Sequence, residues 1–145
     1  MLRITNIQFK RVSAKETYEV RHPVLRHGLP IETCAFERDE DSSTTHFGAY
    51  ISEKLVGVVS LLHQQSDVQL RGMAVLPSMQ GKGIGSQMIT KAETHVKAMQ
   101  ISKLWMNARL VAVPFYERCG YQKQGELFKL PYGGEHYKMI KHLCG

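Results

Sequence analysis

Apolar and polar positions alternate along the first part of the chain and then change period, in an order that predicts a mixed α/β domain. Ile4 to Arg11 reads as a first strand. Ser13 stands three residues before Glu16, the spacing of a capping box, and opens a helix toward Arg26 that Pro23 should kink or split. Gly28 to Ser43 holds no period and reads as an irregular connection rich in Glu32, Glu37, Asp39, Glu40 and Asp41. Two strands, His46 to Ile51 and Leu55 to His63, meet at Ser52, Glu53 and Lys54 as a hairpin, and Val68 to Val75 forms a further strand. From Ile84 the period becomes helical, with Ile84, Met88, Ile89, Ala92, Val96 and Met99 on one face. Glu93 and Lys97 stand four apart on the other face, in the favourable order for an ion pair. Lys103 to Ala108 is a short strand, and Pro114 and Gly120 bracket a short helix. Tyr121 to Phe128 and His136 to His142 close the pattern as strands. No repeat or linker interrupts this order, so residues 1–145 read as one domain.

Composition narrows the picture. A chain of 145 residues, 43% apolar and 22% charged, buries a core of its own and is not a disordered chain. The longest strongly apolar run, Leu55 to Leu62, falls far short of the roughly 20 residues that cross a bilayer. The first residues, MLRITNIQFKRV, lack the continuous hydrophobic stretch of a signal peptide. Cys34, Cys119 and Cys144 are too dispersed for a disulfide framework, and no CxxC or HExxH motif predicts a metal. These features predict a reduced, cytoplasmic protein with no membrane partner and no metal. Lys and Arg number 19 against 13 Asp and Glu, for a net charge of +6. The charges are scattered and no RNA-binding aromatic signature accompanies them, so no nucleic acid partner is expected.

The chemistry concentrates in Gln80-Gly81-Lys82-Gly83-Ile84-Gly85, between a strand and an amphipathic helix. Glycines there let main-chain N–H groups approach a ligand, and the helix N-terminus adds unpaired donors and a positive dipole end. Two nucleotide motifs are excluded. A P-loop needs Ser or Thr after Gly-Lys, but Gly83 follows Lys82; a dinucleotide fingerprint needs a third glycine where Ser86 stands.

Gln80-Gly81-x-Gly83-x-Gly85, with LRGMAVLP before it, resembles the Q/R-x-x-G-x-G/A loop and fourth strand of the GNAT superfamily of acyl-CoA N-acyltransferases. Asn107 with Ala112-Val113-Pro114-Phe115-Tyr116-Glu117-Arg118-Cys119-Gly120-Tyr121 is similar to that family's second signature. GGEHYKMIKHL resembles the ending of its small bacterial members. The resemblance implies an α/β fold with a mixed, mostly antiparallel central sheet, helices flanking it, and fourth and fifth strands that splay apart. It implies acetyl-CoA as acyl donor and a primary amine of a small molecule or peptide as acceptor, with a homodimer possible. The main chain of Gly81, Lys82, Gly83, Ile84, Gly85 and Ser86 would hold the pyrophosphate, beside Gln80. Met73, Ala74 and Val75 would pair with the pantetheine arm and offer an oxyanion donor, and Asn107 and Phe115 would complete the donor site. Tyr116 takes the place of the acid that protonates the leaving thiolate, against its ordinary role of packing on Phe115.

The amine's base is not given by the resemblance. Many members carry a glutamate on the fourth strand, but Asp67-Val68-Gln69-Leu70-Arg71-Gly72-Met73 has no carboxylate inside it, and alternation puts Gln69 and Arg71 on the face of Met73. The candidates are His136, His46, Glu32 or solvent, with His136 the best placed. The five acidic residues after the first helix would attract a cationic amine, unless they form an ordinary solvated loop. A non-catalytic acyl-CoA-binding module is the alternative, since the strand-four carboxylate is missing.

Overall fold

The computed structural model describes residues 3–143. The strands are β1 (Gln8–Val12), β2 (Thr44–Ile51), β3 (Lys54–His63), β4 (Val68–Val75), β5 (Lys103–Arg109), β6 (Gln122–Lys123), β7 (Phe128–Leu130) and β8 (Gly134–His142). They form one sheet in the order β1-β2-β3-β4-β5-β8-β6, with β7 also on β8. Only the β4–β5 pairing is parallel. Helix α1 (Tyr18–Leu25) covers one face, where Val20 packs with Leu55, Val58 and Ala74. Helices α2 (Ile84–Ala98) and α3 (Val113–Arg118) cover the other, over a larger core that joins Ile84, Met88, Val96 and Tyr116 to Val56, Val59, Leu104 and Met139. This is the fold the resemblance implies.

Two departures from regular pairing shape the sheet. First, β4 and β5 pair only at Val68–Leu104 and Gln69–Trp105. From Leu70 onward their facing edges separate, which is the expected splay. Second, Val58 faces Ala74 and Ser60 faces Arg71, so Val59 alone stands opposite both Gly72 and Met73. This is a β-bulge, and Gly72 adopts φ +58°, a conformation natural to glycine. The extra residue reverses the alternation of β4. Val68 and Leu70 lie in the α2 core before the bulge, whereas Met73 and Val75 pack against it afterwards. Gln69 and Arg71 therefore face α1, and Met73 does not share their side, contrary to simple alternation.

Other expectations are met in altered form. The first strand begins at Gln8, because Ile4 is engaged elsewhere: its N–H donates to the Lys82 carbonyl at 2.9 Å, and Gln87 Nε2 donates to its carbonyl. The capping box forms, with Ser13 N donating to Glu16 Oε1 at 2.8 Å and Glu16 N to Ser13 Oγ at 3.1 Å. A 3-10 turn (Lys15–Thr17) intervenes before α1. Pro23 sits inside α1 without splitting it. The hairpin closes in two residues, Ser52 (φ 48°) and Glu53 (φ 68°), whose left-handed backbone matches strand twist. Tyr121 to Phe128 is divided into β6 and β7 around Gly125. Glu93 pairs not with Lys97 but with Lys141 at 3.0 Å, and accepts the Tyr121 hydroxyl at 2.8 Å, because β8 brings a partly shielded cation against α2. Cys144 lies outside the described residues.

Candidate active site

A cleft of about 1190 Å³ opens where β4 and β5 part. Met73, Ala74 and Val75 line it from β4, Asn107 from β5, Phe115 and Tyr116 from α3, and His136 from β8. Gln80, Gly81, Gly83, Ile84, Gly85 and Ser86 line it from the loop into α2. The fold thus brings almost every residue singled out in the sequence to one cavity. Lys82 does not line it, and its carbonyl instead anchors Ile4.

The loop is built to present its main chain. Gln80 Nε2 donates to the Val75 carbonyl at 2.9 Å and fastens the exit of β4. Gly83 is the N-cap of α2 with φ 80°, and no side chain caps the helix. Its first turn also carries no acidic residue. The leading N–H groups of a fifteen-residue helix are left for an anion to satisfy, with the helix dipole in support. On the β4 side, the edge beyond Gln69 has lost its partner strand, and the bulge releases main chain from the ladder at Gly72 and Met73.

Tyr116 is buried between two rings, edge-on to Phe115 at 5.2 Å and to Tyr121 at 6.0 Å between centroids. Burial pushes its phenol well above the ordinary value, so it stays protonated throughout the neutral range. His136 is also buried, stacked on Phe128. Its Nδ1 lies 2.7 Å from the Gly134 carbonyl, which only accepts, so the contact favours the tautomer with the proton on Nδ1 and Nε2 as acceptor. The other candidate bases are displaced. His46 spends Nδ1 on Ser60 Oγ at 2.6 Å and Nε2 on the Asp39 carbonyl at 2.9 Å, away from the cleft. Glu32 is exposed and does not line the cleft. Burial raises the thiols of Cys34 and Cys119, so neither is an activated nucleophile.

The α1 side of the cleft rests on a residue that sequence reasoning missed. Arg21 is fully buried, and Nη1 donates to Asp39 Oδ2 at 2.6 Å and to the Cys34 carbonyl at 2.8 Å. Nη2 reaches Asp39 Oδ1 at 3.2 Å and Ser60 Oγ at 2.9 Å. The guanidinium lies 3.8 Å from the Phe36 ring centroid, and Asp39 Oδ2 accepts the Phe36 N–H at 2.9 Å. The connection after α1 is thereby held over Gly72, where an added Cβ would meet Phe36 Cε2 at 2.7 Å. Of the five acidic residues expected to draw in a cation, only Glu37 lines the cleft. Asp39 is committed to Arg21, Asp41 pairs with Arg38 at 2.7 Å, and Glu32 and Glu40 are exposed.

Residues 10–121 match the sequence pattern of the Acetyltransferase (GNAT) family. The chain belongs to the GNAT acetyltransferase family. The Bacillus subtilis (strain 168) protein named uncharacterized N-acetyltransferase YitI is 32% identical over 144 residues, covering 94% of this chain and 97% of that one. In three dimensions the GNAT chain matches a provisionally assigned N-acetyltransferase from Lactobacillus plantarum with a TM-score of 0.83 at 20% identity, over 97% and 100% of the two chains. It matches a GNAT family acetyltransferase from Elizabethkingia anophelis, solved with acetyl-CoA bound, with a TM-score of 0.76 at 15% identity, over 97% and 100%. The protein is an acetyl-CoA-dependent acetyltransferase, and the silent binding module is not favoured. Among the described residues, no group of His, Cys, Asp and Glu is arranged to hold a metal, and no helix is long and apolar enough to cross a membrane.

The uncapped start of α2 and the unpaired edge of β4 fit the two ends of the GNAT acyl donor, an anionic diphosphate and an amide-bearing arm. A Cβ on Gly85 would stand 3.2 Å from Phe115 Cζ. Gly85→Val therefore forces the loop away from α3 and removes one or two charge-assisted contacts. Acetyl-CoA affinity should fall roughly ten- to hundredfold by calorimetric titration; unchanged affinity would remove the loop from the donor site.

The two buried phenols give the GNAT fold an alkaline weakness. Tyr116 and Tyr121 both titrate above the ordinary value because burial penalises the phenolate, and Tyr121 also donates to Glu93. In the unfolded chain they ionise near pH ~10, so unfolding releases protons above that point and stability falls as pH rises. The slope approaches about 1.4 kcal/mol per pH unit for each phenol. Denaturant midpoints at pH 9, 10 and 11 read it out, and a flat profile would contradict the burial.

Proposed function

We propose that the cleft transfers an acetyl group from acetyl-CoA to a primary amine by direct attack, with Tyr116 as general acid and His136 as general base. The observation that carries this reading is the convergence on one fork of an uncapped helix N-terminus, an open strand edge and two proton-handling side chains. Acetyl-CoA supplies the acetyl group as a thioester open to nucleophilic attack. The N–H groups of Gly81 to Ser86 hold its diphosphate, and the β4 edge at Met73, Ala74 and Val75 aligns the arm by strand-like hydrogen bonds. Asn107 and Phe115 close the donor side. Main chain released at the bulge donates to the carbonyl oxygen as negative charge gathers there. His136 Nε2 accepts the proton of the attacking nitrogen as the C–N bond forms. Tyr116 gives its proton to the departing sulfur as the C–S bond breaks, leaving free thiol and N-acetylated product.

The test is thiol release from acetyl-CoA with a panel of primary amines, for the parent and His136→Ala at a series of pH values. The two should differ in the pH dependence of kcat/KM, the variant following only the ionisation of the amine. An unaltered profile removes His136 as the base. We place the enzyme in the cytoplasm, a reading supported by two free thiols, Cys34 and Cys119, that suit a reducing compartment. The homodimer is part of the proposal, with light scattering as its measurement.

A further inference from the structure

The α1 end of the cleft carries unpaired positive charge. Arg26, Arg71 and Arg109 all line it, and Glu37 is the one carboxylate among the lining residues. Arg26 lies at the C-terminus of α1, where its guanidinium stacks over the Tyr132 ring at 4.4 Å and lies 5.1 Å from Phe36. Arg71 approaches the same Phe36 ring at 5.7 Å from β4. Arg109 comes from β5 and sends Nη2 to the Leu25 carbonyl at 3.1 Å, the oxygen that also accepts Arg26 Nη1 at 3.1 Å. All their remaining hydrogen bonds go to main-chain carbonyls, of Thr33 for Arg26 and of Glu37 for Arg71. None of the three forms an ion pair among the described residues. Asp39, the nearest buried carboxylate, is taken by Arg21, and the Glu37 carboxylate is exposed and makes no ion pair.

Such an arrangement is costly without a ligand. Desolvation lowers the affinity of all three guanidiniums for their protons, and Arg109 adds repulsion at Arg26. Guanidiniums gathered around aromatic faces present their N–H edges to a planar oxyanion, the geometry of bidentate carboxylate recognition. They also lie on the α1 side of the sheet. Arg71, just before the bulge, faces α1, and Arg26 and Arg109 meet at the end of α1, whereas the glycine loop, Met73 and α3 belong to the opposite core. The donor's phosphates are met on the other face.

We infer that the acceptor is an amine that also bears a carboxylate, held by Arg26, Arg71 and Arg109 at the α1 end of the cleft. This rests on the acetyl-transfer reading of the same cleft. It replaces the cationic amine that the acidic loop suggested with an amino-acid-like one.

The test uses the full chain saturated with coenzyme A, titrated calorimetrically with N-acetylglycine, N-acetyl-β-alanine and N-acetyl-γ-aminobutyrate, each against its primary amide. N-acetyl-aminoethylphosphonate forms a parallel arm. At least one acid should bind about tenfold or more tightly than its amide. That preference should shrink to within about threefold in Arg71→Gln and in Arg109→Gln, and return in part in Arg71→Lys. Equal binding of every acid and its amide overturns the inference, as does a preference that survives both glutamine variants. Tighter binding of the phosphonate than of any carboxylate overturns the choice of anion. The titration needs no turnover, so the two failures separate. Acid preference without thiol release strikes the roles of Tyr116 and His136, and thiol release without acid preference strikes this inference alone.

Discussion

Tyr116→Phe lowers kcat by about a hundredfold or more while acetyl-CoA affinity stays within about twofold. The substitution deletes one oxygen and keeps the ring, so the edge-on contacts with Phe115 and Tyr121 survive. The hydroxyl makes no hydrogen bond with any described residue, while the residue lines the cleft. Deleting it therefore strands no protein partner, and the loss falls on the chemistry rather than on the fold. Burial makes this phenol a weaker acid than a free one. The same apolar surroundings raise the proton affinity of a departing thiolate, so donor and recipient stay matched. Single-turnover thiol release separates this step from donor binding, and a variant with parental kcat would end the assignment.

Asp39→Ala destabilises the protein by about 3–5 kcal/mol, because it leaves the fully buried Arg21 guanidinium without its counter-charge. Set against a typical domain stability of about 5–15 kcal/mol, that is a large share. The Phe36 N–H loses its acceptor in the same stroke, so the connection roofing Gly72 loosens with it. Denaturant unfolding should show a lower midpoint, with Asp39→Asn intermediate, since an amide still accepts hydrogen bonds but brings no charge. A midpoint unchanged by Asp39→Ala would mean that the network contributes nothing net to stability. Among the described residues Arg21 Nε has no hydrogen-bond partner, which places part of the desolvation cost on Asp39 and Ser60 to offset.

The half of the cleft proposed to hold the donor was legible in the sequence because its residues are local. Gln80 to Ser86 is a contiguous run whose glycines and following helix announce a main-chain anion site, and Phe115 and Tyr116 sit in a bracketed short helix. The half proposed for the acceptor was not legible, because it is assembled over long separations. Arg26, Arg71 and Arg109 are isolated in sequence, and nothing distinguishes Arg21 from an arginine on the exposed face of a helix. Asp39 reads as one acid among five until burial singles it out. The β4 bulge defeated the alternation rule for a related reason. One added residue is invisible in a run such as Leu70-Arg71-Gly72-Met73, although a glycine inside an apolar strand is the one local hint. Fold order survived better than boundaries, with Ile4 drawn off to the glycine loop and the Tyr121 to Phe128 stretch broken at Gly125.

On the proposed reading, the reversal at Gly72 divides one strand between two substrates. Gln69 and Arg71 before it would face the acceptor and the main-chain edge of Met73 to Val75 after it would align the donor, so the two halves can diversify separately. Under that reading, exchanging Gln69 or Arg71 should alter which amine is chosen without disturbing the grip on acetyl-CoA. A change of length is different: removing one residue there rotates Met73, Ala74 and Val75 by half a turn and exchanges the audiences of the whole downstream segment. Evolution of new acceptors on this scaffold is thus open to point substitution and closed to insertion or deletion in β4.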